Sequence, residues 1–307
     1  MFAAFLTVLP IFLVIALGWS AARLRLIGER TGEGLSDYVF VIAIPVLLFR
    51  SLVSAKLPEI QPWAFWASYF GALALVWSIA SLAATRLFGR TAEEGVVAGI
   101  ATGYANTVLI GIPLILRVFG DEGAIPLFLL IAVHTPVTIA VATLLVESAG
   151  EASGKIATIL RKLATNPIIL GILAGVAFRA TGLALPDSAT ATLKFIGDSA
   201  APCALFAMGT ALRRYGFGGE PRLLALIVGL KLLIHPLAVW LLATQVFDLP
   251  PLWTAVATAL AACPAGVNAY LFAERHKIGL SLASGVIAVT TVMSVATISF
   301  WIAFAKG

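Results

Sequence analysis

Two stretches of this 307-residue chain combine groups that break helices with neutral hydrogen-bonding side chains. Ala101–Gly120 reads ATGYANTVLIGIPLILRVFG, and Ala261–His276 reads AACPAGVNAYLFAERH. Gly103, Asn106, Thr107, Gly111 and Pro113 interrupt the first; Pro264, Gly266 and Asn268 interrupt the second. A proline inside a helix removes a backbone hydrogen bond and clashes with the preceding turn, at a cost of about 3 kcal/mol. In lipid the freed backbone groups find no water, so such breaks persist only against protein or a wet cavity. Each break predicts a half-helix N-terminus carrying roughly half a positive charge and several unpaired amide donors. Two such ends attract an anion without any fixed charge. Asn106, Thr107 and Asn268 add neutral donors and acceptors. No Asp or Glu lies between Glu94 and Asp121, nor between Asp248 and Glu274. A cation site calls for carboxylates, so the ligand this chemistry fits is itself a carboxylate.

Several titratable residues stand near these segments. His134 precedes Thr135 and Pro136 in the apolar run expected beside the first break, where it can relay a proton, donate to a ligand or bond between helices. Asp198 follows Lys194 by four residues, on one helical face. The two form either a mutually neutralising pair or a coupling carboxylate with its partner. Asp37 is placed as a helix cap near the membrane interface, with coupling as the other reading. His235 is read as structural, and Lys231 as reaching a span end by its long stem. Cys203 and Cys263 lie in apolar runs and form no CxxC pair, so both read as small packing residues.

The elements that must position these residues follow from composition. The chain is 61% hydrophobic and 11% charged, with mean hydropathy +1.03. Soluble domains are about 45–50% apolar and about 25% charged, which makes this an all-α integral membrane protein. No ten-residue alternation marks a barrel. Met1 leads directly into an apolar run without a basic region, so a cleavable signal is not expected and the run is the first span. Breaks at charge clusters give ten transmembrane helices, over 2–22, 34–54, 63–84, 94–117, 123–146, 164–183, 188–212, 222–246, 251–273 and 279–305.

Odd-numbered loops hold thirteen Lys and Arg: Arg23, Arg25, Arg30, Arg86, Arg90, Lys155, Arg161, Lys162, Arg213, Arg214, Arg222, Arg275 and Lys277. Even-numbered loops hold only Arg50, Lys56, Arg117 and Arg179, diluted by Glu59, Asp121, Glu122, Asp187 and Asp248. Odd loops are therefore expected in the cytoplasm and both termini outside. Topology accounts for the net charge of +5 without nucleic acid. Trp19, Trp63, Trp66 and Trp301 fall near span ends and suit an aromatic belt.

The polar stretch from Glu147 to Asn166 divides the chain into two similar halves. LPIFLVIALG (Leu9–Gly18) echoes NPIILGILAG (Asn166–Gly175); IPVLLF (Ile44–Phe49) echoes APCALF (Ala201–Phe206); AATRLF (Ala83–Phe88) echoes LATQVF (Leu242–Phe247). The separations are 157, 157 and 159 residues. Five spans per half, an odd number, makes this a 5+5 inverted repeat, the construction of many secondary transporters, with the interrupted spans 4 and 9 as its binding site.

NTVLIGIPLI (Asn106–Ile115) and PAGVNAYLFAERH (Pro264–His276) resemble the two signature segments of the auxin efflux carrier family, which includes plant auxin carriers and bacterial transporters of malonate or malate. IGDSAAPCALFAMGTAL (Ile196–Leu212) is similar to that family's seventh-span pattern, and the resemblance runs the whole length. It implies a fold like that of sodium/proton antiporters and bile-acid carriers, with broken helices 4 and 9 crossing. It also implies elevator-type alternating access, a homodimer and a bacterial inner membrane. Scaffold regions would be 1–60 (spans 1–2) and 164–217 (spans 6–7). Transport regions would be 61–146 (spans 3–5) and 218–307 (spans 8–10), with a cytoplasmic linker over 147–163. By that analogy Asn106 contacts the substrate carboxylate and Pro113 and Pro264 flank the crossing, with Tyr104, Thr107, Gly266, Asn268 and His134 around it. Asn268 stands where plant members have an apolar residue, and the plant family's long central loop is absent. Both departures favour a smaller organic acid than auxin.

The rival reading within this fold is a sodium-coupled bile-acid-type symporter, which would want acids or glutamines beside the crossing. An enzyme is not expected, since HExxH, GxSxG and paired intramembrane aspartates are lacking. No GxxxxGK[ST] is present, so gradients, not nucleotides or cofactors, supply the energy.

Overall fold

The computed structural model describes residues 2–54, 62–149, 165–216 and 218–306, and these are built of helices. Helix α1 spans Phe2–Arg23, α2 Glu29–Tyr38, α3 Ile44–Ser54, α4 Pro62–Arg86, α5 Ala92–Gly103, α6 Ile112–Phe119 and α7 Ala124–Ala149. They are followed by α8 (Pro167–Ala180), α9 (Asp187–Leu212), α10 (Pro221–Gly229), α11 (His235–Leu241), α12 (Pro251–Ala262), α13 (Val267–His276) and α14 (Leu280–Lys306). Seven stretches among the described residues are long and apolar enough to cross a membrane, and Pro167–Ala180 and Pro251–Ala262 are shorter apolar helices. The molecule is apolar inside and out. On α1, Val8, Ile11 and Ile15 are buried while Leu6, Leu13 and Leu17 are exposed, the pattern expected where lipid replaces water. The chain is a multi-pass membrane protein. Most of the linker expected over 147–163, together with Lys56, Glu59, Lys155, Arg161 and Lys162, lies outside the described residues.

Local sequence explains three of the irregular turns. Wide π-helical turns at Val39–Ala43, Thr107–Gly111 and Leu230–Ile234 each end two residues before a proline: Pro45, Pro113 and Pro236. The proline nitrogen cannot donate and its ring pushes on the preceding turn, and widening that turn accommodates both effects. Helix α5 starts with a capping box. The Glu94 N–H donates to Thr91 Oγ1 at 3.2 Å, and the Thr91 N–H donates to the Glu94 carboxylate at 3.1 Å.

The halves interlock through glycines. Helix α1 packs on α9, and α3 on α8. At the first contact Gly18 lies against the backbone of Phe206; at the second Gly175 lies against Phe49, where a Cβ would meet the carbonyl oxygen at 3.0 Å. Gly18 corresponds to Gly175 and Phe49 to Phe206 in the repeated segments, so each half presents its glycine to the other half's phenylalanine. Small residues let membrane helices approach this closely.

Three expectations change. The second helical stretch begins at Glu29, with Gly28 at its N-cap, so Asp37 is exposed in the last turn of α2 and is no cap. The polar run ERTGEGLSDY, amphipathic rather than apolar, concealed that start. Lys231 does not reach a span end: it is fully buried, its Nζ donating to the Ala261 carbonyl at 3.0 Å. His235 has a partner in Lys231, with Nδ1 3.1 Å from Nζ. Trp301 is buried and donates to the Leu232 carbonyl at 2.8 Å, and Trp66 donates to the Leu129 carbonyl at 2.9 Å. Both hold helices together, whereas Trp19 and Trp63 are exposed.

Candidate binding site at the helix crossing

Both interrupted segments leave the helical conformation over a few residues. Helix α5 ends at Gly103 and Tyr104 is extended (φ −77°, ψ 105°); α12 ends at Ala262 and Cys263 is extended (φ −57°, ψ 146°). The two short stretches run antiparallel and pair at Ala105 and Ala265. The Asn106 N–H donates to the Pro264 carbonyl and the Gly266 N–H to the Tyr104 carbonyl, each at 2.8 Å. A third bond comes from α14, where Thr290 Oγ1 accepts from the Ala265 N–H at 3.1 Å. An unpaired buried backbone group costs about 1–3 kcal/mol, so each break supplies partners the other needs.

Side chains complete the crossing. Asn106 Oδ1 accepts from the Leu109 N–H at 3.2 Å, capping the turn that leads into α6, and its Nδ2 points to Met208 Sδ on α9 at 3.2 Å. Asn268, in the first turn of α13, donates from Nδ2 to the Tyr104 hydroxyl, which pairs with Thr135 Oγ1 at 2.7 Å. The Tyr104 ring stacks on His134 with centroids 4.7 Å apart, and His134 Nδ1 lies 3.5 Å from Thr107 Oγ1. Gly266 leaves room for that tyrosine, since a Cβ there would lie 2.5 Å from its ring.

Beside the crossing is a cavity of about 410 Å³. Tyr104, Asn106, Thr107, Thr135, Asn166 and Asn268 give it polar groups, and Phe40, Val41, Val108 and Leu271 give it apolar walls. None of its lining residues is Asp, Glu, Lys, Arg or His. Helix α13 and the turn leading into α6 both begin at this cavity, at Val267 and Thr107. Their N-terminal amides give it a positive potential without a cationic side chain. That combination suits a small anion with hydrogen-bond acceptors.

The structure brings Tyr104, Asn106, Thr107 and Asn268 together on the cavity. Pro264 and Gly266 form the bridge, and His134 is fully buried behind Tyr104. Pro113 is buried in the first turn of α6. The coupling candidates do not line the cavity. Asp198 pairs with Lys194 at 2.6 Å and with Arg50 at 2.9 Å on an exposed surface, and Asp37 is also exposed. Thr135 and Asn166 line the cavity as well; Thr135 lies in the run expected beside the first break, whereas the sequence context of Asn166 does not point there. Asn166 caps α8 by accepting from the Ile168 N–H at 2.9 Å; its sequence signal, Asn-Pro at a helix start, reads as a cap alone.

Residues 3–302 match a family model described as membrane transport protein. The chain is 29% identical over 299 residues to a "Putative malonate transporter" of Rhizobium meliloti (strain 1021), covering 95% of this chain and 92% of that protein. It is 24% identical over 303 residues to an "Uncharacterized transporter" of Methanothermobacter thermautotrophicus, covering 96% of each.

Proposed function

The chain belongs to the membrane transport protein family, that of the auxin efflux carriers, and from that premise we propose that it is a secondary carrier of small carboxylates such as malonate or malate. The observation that carries the reading is the neutral cavity at the Ala105–Ala265 bridge, where two helical N-termini and the amides of Asn106 and Asn268 converge. A carboxylate offers acceptors to all of these donors and needs no counter-ion other than the helix ends. The malonate relative agrees with a substrate of this size.

The wider architecture in this proposal is ten spans in a 5+5 inverted repeat, with spans 4 and 9 broken at the crossing. The reciprocal Gly18–Phe206 and Gly175–Phe49 contacts support the repeat, as does the symmetric exchange of backbone bonds at the bridge. Spans 1, 2, 6 and 7 form a scaffold; spans 3–5 and 8–10 carry the cavity across by an elevator motion, in a homodimer. The family resemblance supports these last elements. The loop charges favour an inner-membrane orientation with both termini extracytoplasmic.

The test is uptake of radiolabelled malonate by proteoliposomes. Saturable, sodium-independent uptake competed by related acids is expected. Sodium-dependent uptake of bulky amphipaths would favour the bile-acid-type symporter, and flux that does not saturate would make the protein a channel.

A further inference from the structure

Among the described residues, Lys231 has no carboxylate paired with it. It lies in the π-helical turn Leu230–Ile234, fully buried, bonded to the Ala261 carbonyl and to His235. The elements packed against this turn are α4, α5, α10, α11, α12 and α14. The titratable groups they bring to it are His235 from α11, Tyr69 from α4 and Cys263 at the end of α12, with His134 and Tyr104 one ring further away. Helix α14 has no titratable residue between Leu280 and Ala305. Glu93 and Glu94 of α5 and Arg222 of α10 stand in the first turns of their helices, at the ends. A cation at this depth without a counter-ion is costly. It is partly offset here, because Ala261 belongs to the last turn of α12, the negative end of that helix.

The Nζ–Nδ1 bond serves both charge states. An ammonium donates to Nδ1, and a neutral amine accepts from an Nδ1–H. From this pair a row of touching rings leads to the cavity. Tyr69 lies edge-on to His235 at 5.4 Å and to His134 at 5.5 Å, and His134 stacks on the cavity residue Tyr104. The Tyr69 hydroxyl, His134 Nε2 and His235 Nε2 are all buried without a hydrogen-bond partner. Buried polar atoms are nearly always satisfied, and these three orphans stand on adjoining rings between the pair and the cavity.

We propose that Lys231 and His235 form the proton-coupling site of the carrier. Building on the carboxylate reading of the cavity, one proton passes from water onto the neutral Lys231 amine when the anion binds and returns to water when the anion leaves. Anion and proton each raise the affinity for the other, as linkage requires. Their joint passage carries one negative charge fewer than the anion alone.

The experiment is calorimetric titration of the purified full chain with malonate, at about pH 7.5, well above ordinary carboxylate values, in two buffers of different ionisation enthalpy. Wild type is expected to take up about one proton per malonate bound. Lys231→Arg keeps the cation but does not release a proton, so it is expected to bind malonate with no uptake. His235→Gln, a second variant in case the first fails to fold, is expected to lose most of the uptake while still binding. Binding by wild type without proton uptake overturns the proposal whatever the variants do, as does undiminished uptake in either folded variant; both leave the carrier reading standing. No binding of malonate or related acids by wild type brings down the carrier reading itself, and the coupling with it.

Discussion

Ala105 and Ala265 sit opposite each other as an antiparallel bridge, the one place where the two interrupted helices touch backbone to backbone among the described residues. The pairing explains how two breaks survive in an apolar interior: each closes the other's hydrogen bonds. It also fixes the distance between two helical N-termini, and so the width of the neutral cavity beside them.

Gly266 tests that geometry. In Gly266→Ala the new Cβ would press on the Tyr104 ring at 2.5 Å, and overpacking of this kind costs about 1–3 kcal/mol. A lowered melting temperature is expected, with malonate affinity reduced roughly tenfold, since one such step is about 1.4 kcal/mol. A melting scan with and without malonate measures both.

Tyr104→Phe keeps the stack on His134 but removes the hydroxyl that joins Asn268 to Thr135. Leaving two polar groups without their partner costs about 1–3 kcal/mol. Binding titration is expected to show weaker malonate affinity, with the thermal stability reduced by no more than this amount.

Gly18 and Gly175 make equivalent contacts in the two halves. Gly18→Val and Gly175→Val are each expected to lower the unfolding temperature in detergent, with overpacking costs of about 1–3 kcal/mol or more. Similar losses from both are expected from an interlocked repeat; a tolerated valine at either site would break the equivalence.

Asp198→Asn removes an exposed link to Lys194 and Arg50. Exposed pairs are worth about 0–1 kcal/mol. Little change in melting temperature or malonate affinity is expected, and a large loss of transport would return Asp198 to the coupling role.

The breaks were legible because Gly, Pro and Asn clustered inside an apolar run disfavour a continuous helix; Gly18, Gly175, Phe49 and Phe206 lie within the echoing segments, but their contacts show only in the fold. Tyr104, Asn106, Thr107 and Asn268 could therefore be named from their position in the chain. What lay hidden depended on contacts distant in sequence. Lys231 looked like a residue bound for the surface because its acceptor is a backbone carbonyl thirty residues away, at Ala261. Asn166 joined the cavity only because α8 comes to lie beside the crossing. The early start of α2 does not show in hydropathy because ERTGEGLSDY is polar and amphipathic rather than apolar.

The most direct test of the crossing as an anion site is malonate binding to Asn106→Asp measured beside wild type. The aspartate can still accept from the Leu109 N–H and keep the cap, worth about 1 kcal/mol, and a melting scan establishes that the variant is folded. Its negative charge would stand in the cavity where the carboxylate binds, and binding is expected to be lost. A stable Asn106→Asp protein that binds malonate as tightly as wild type would contradict the site.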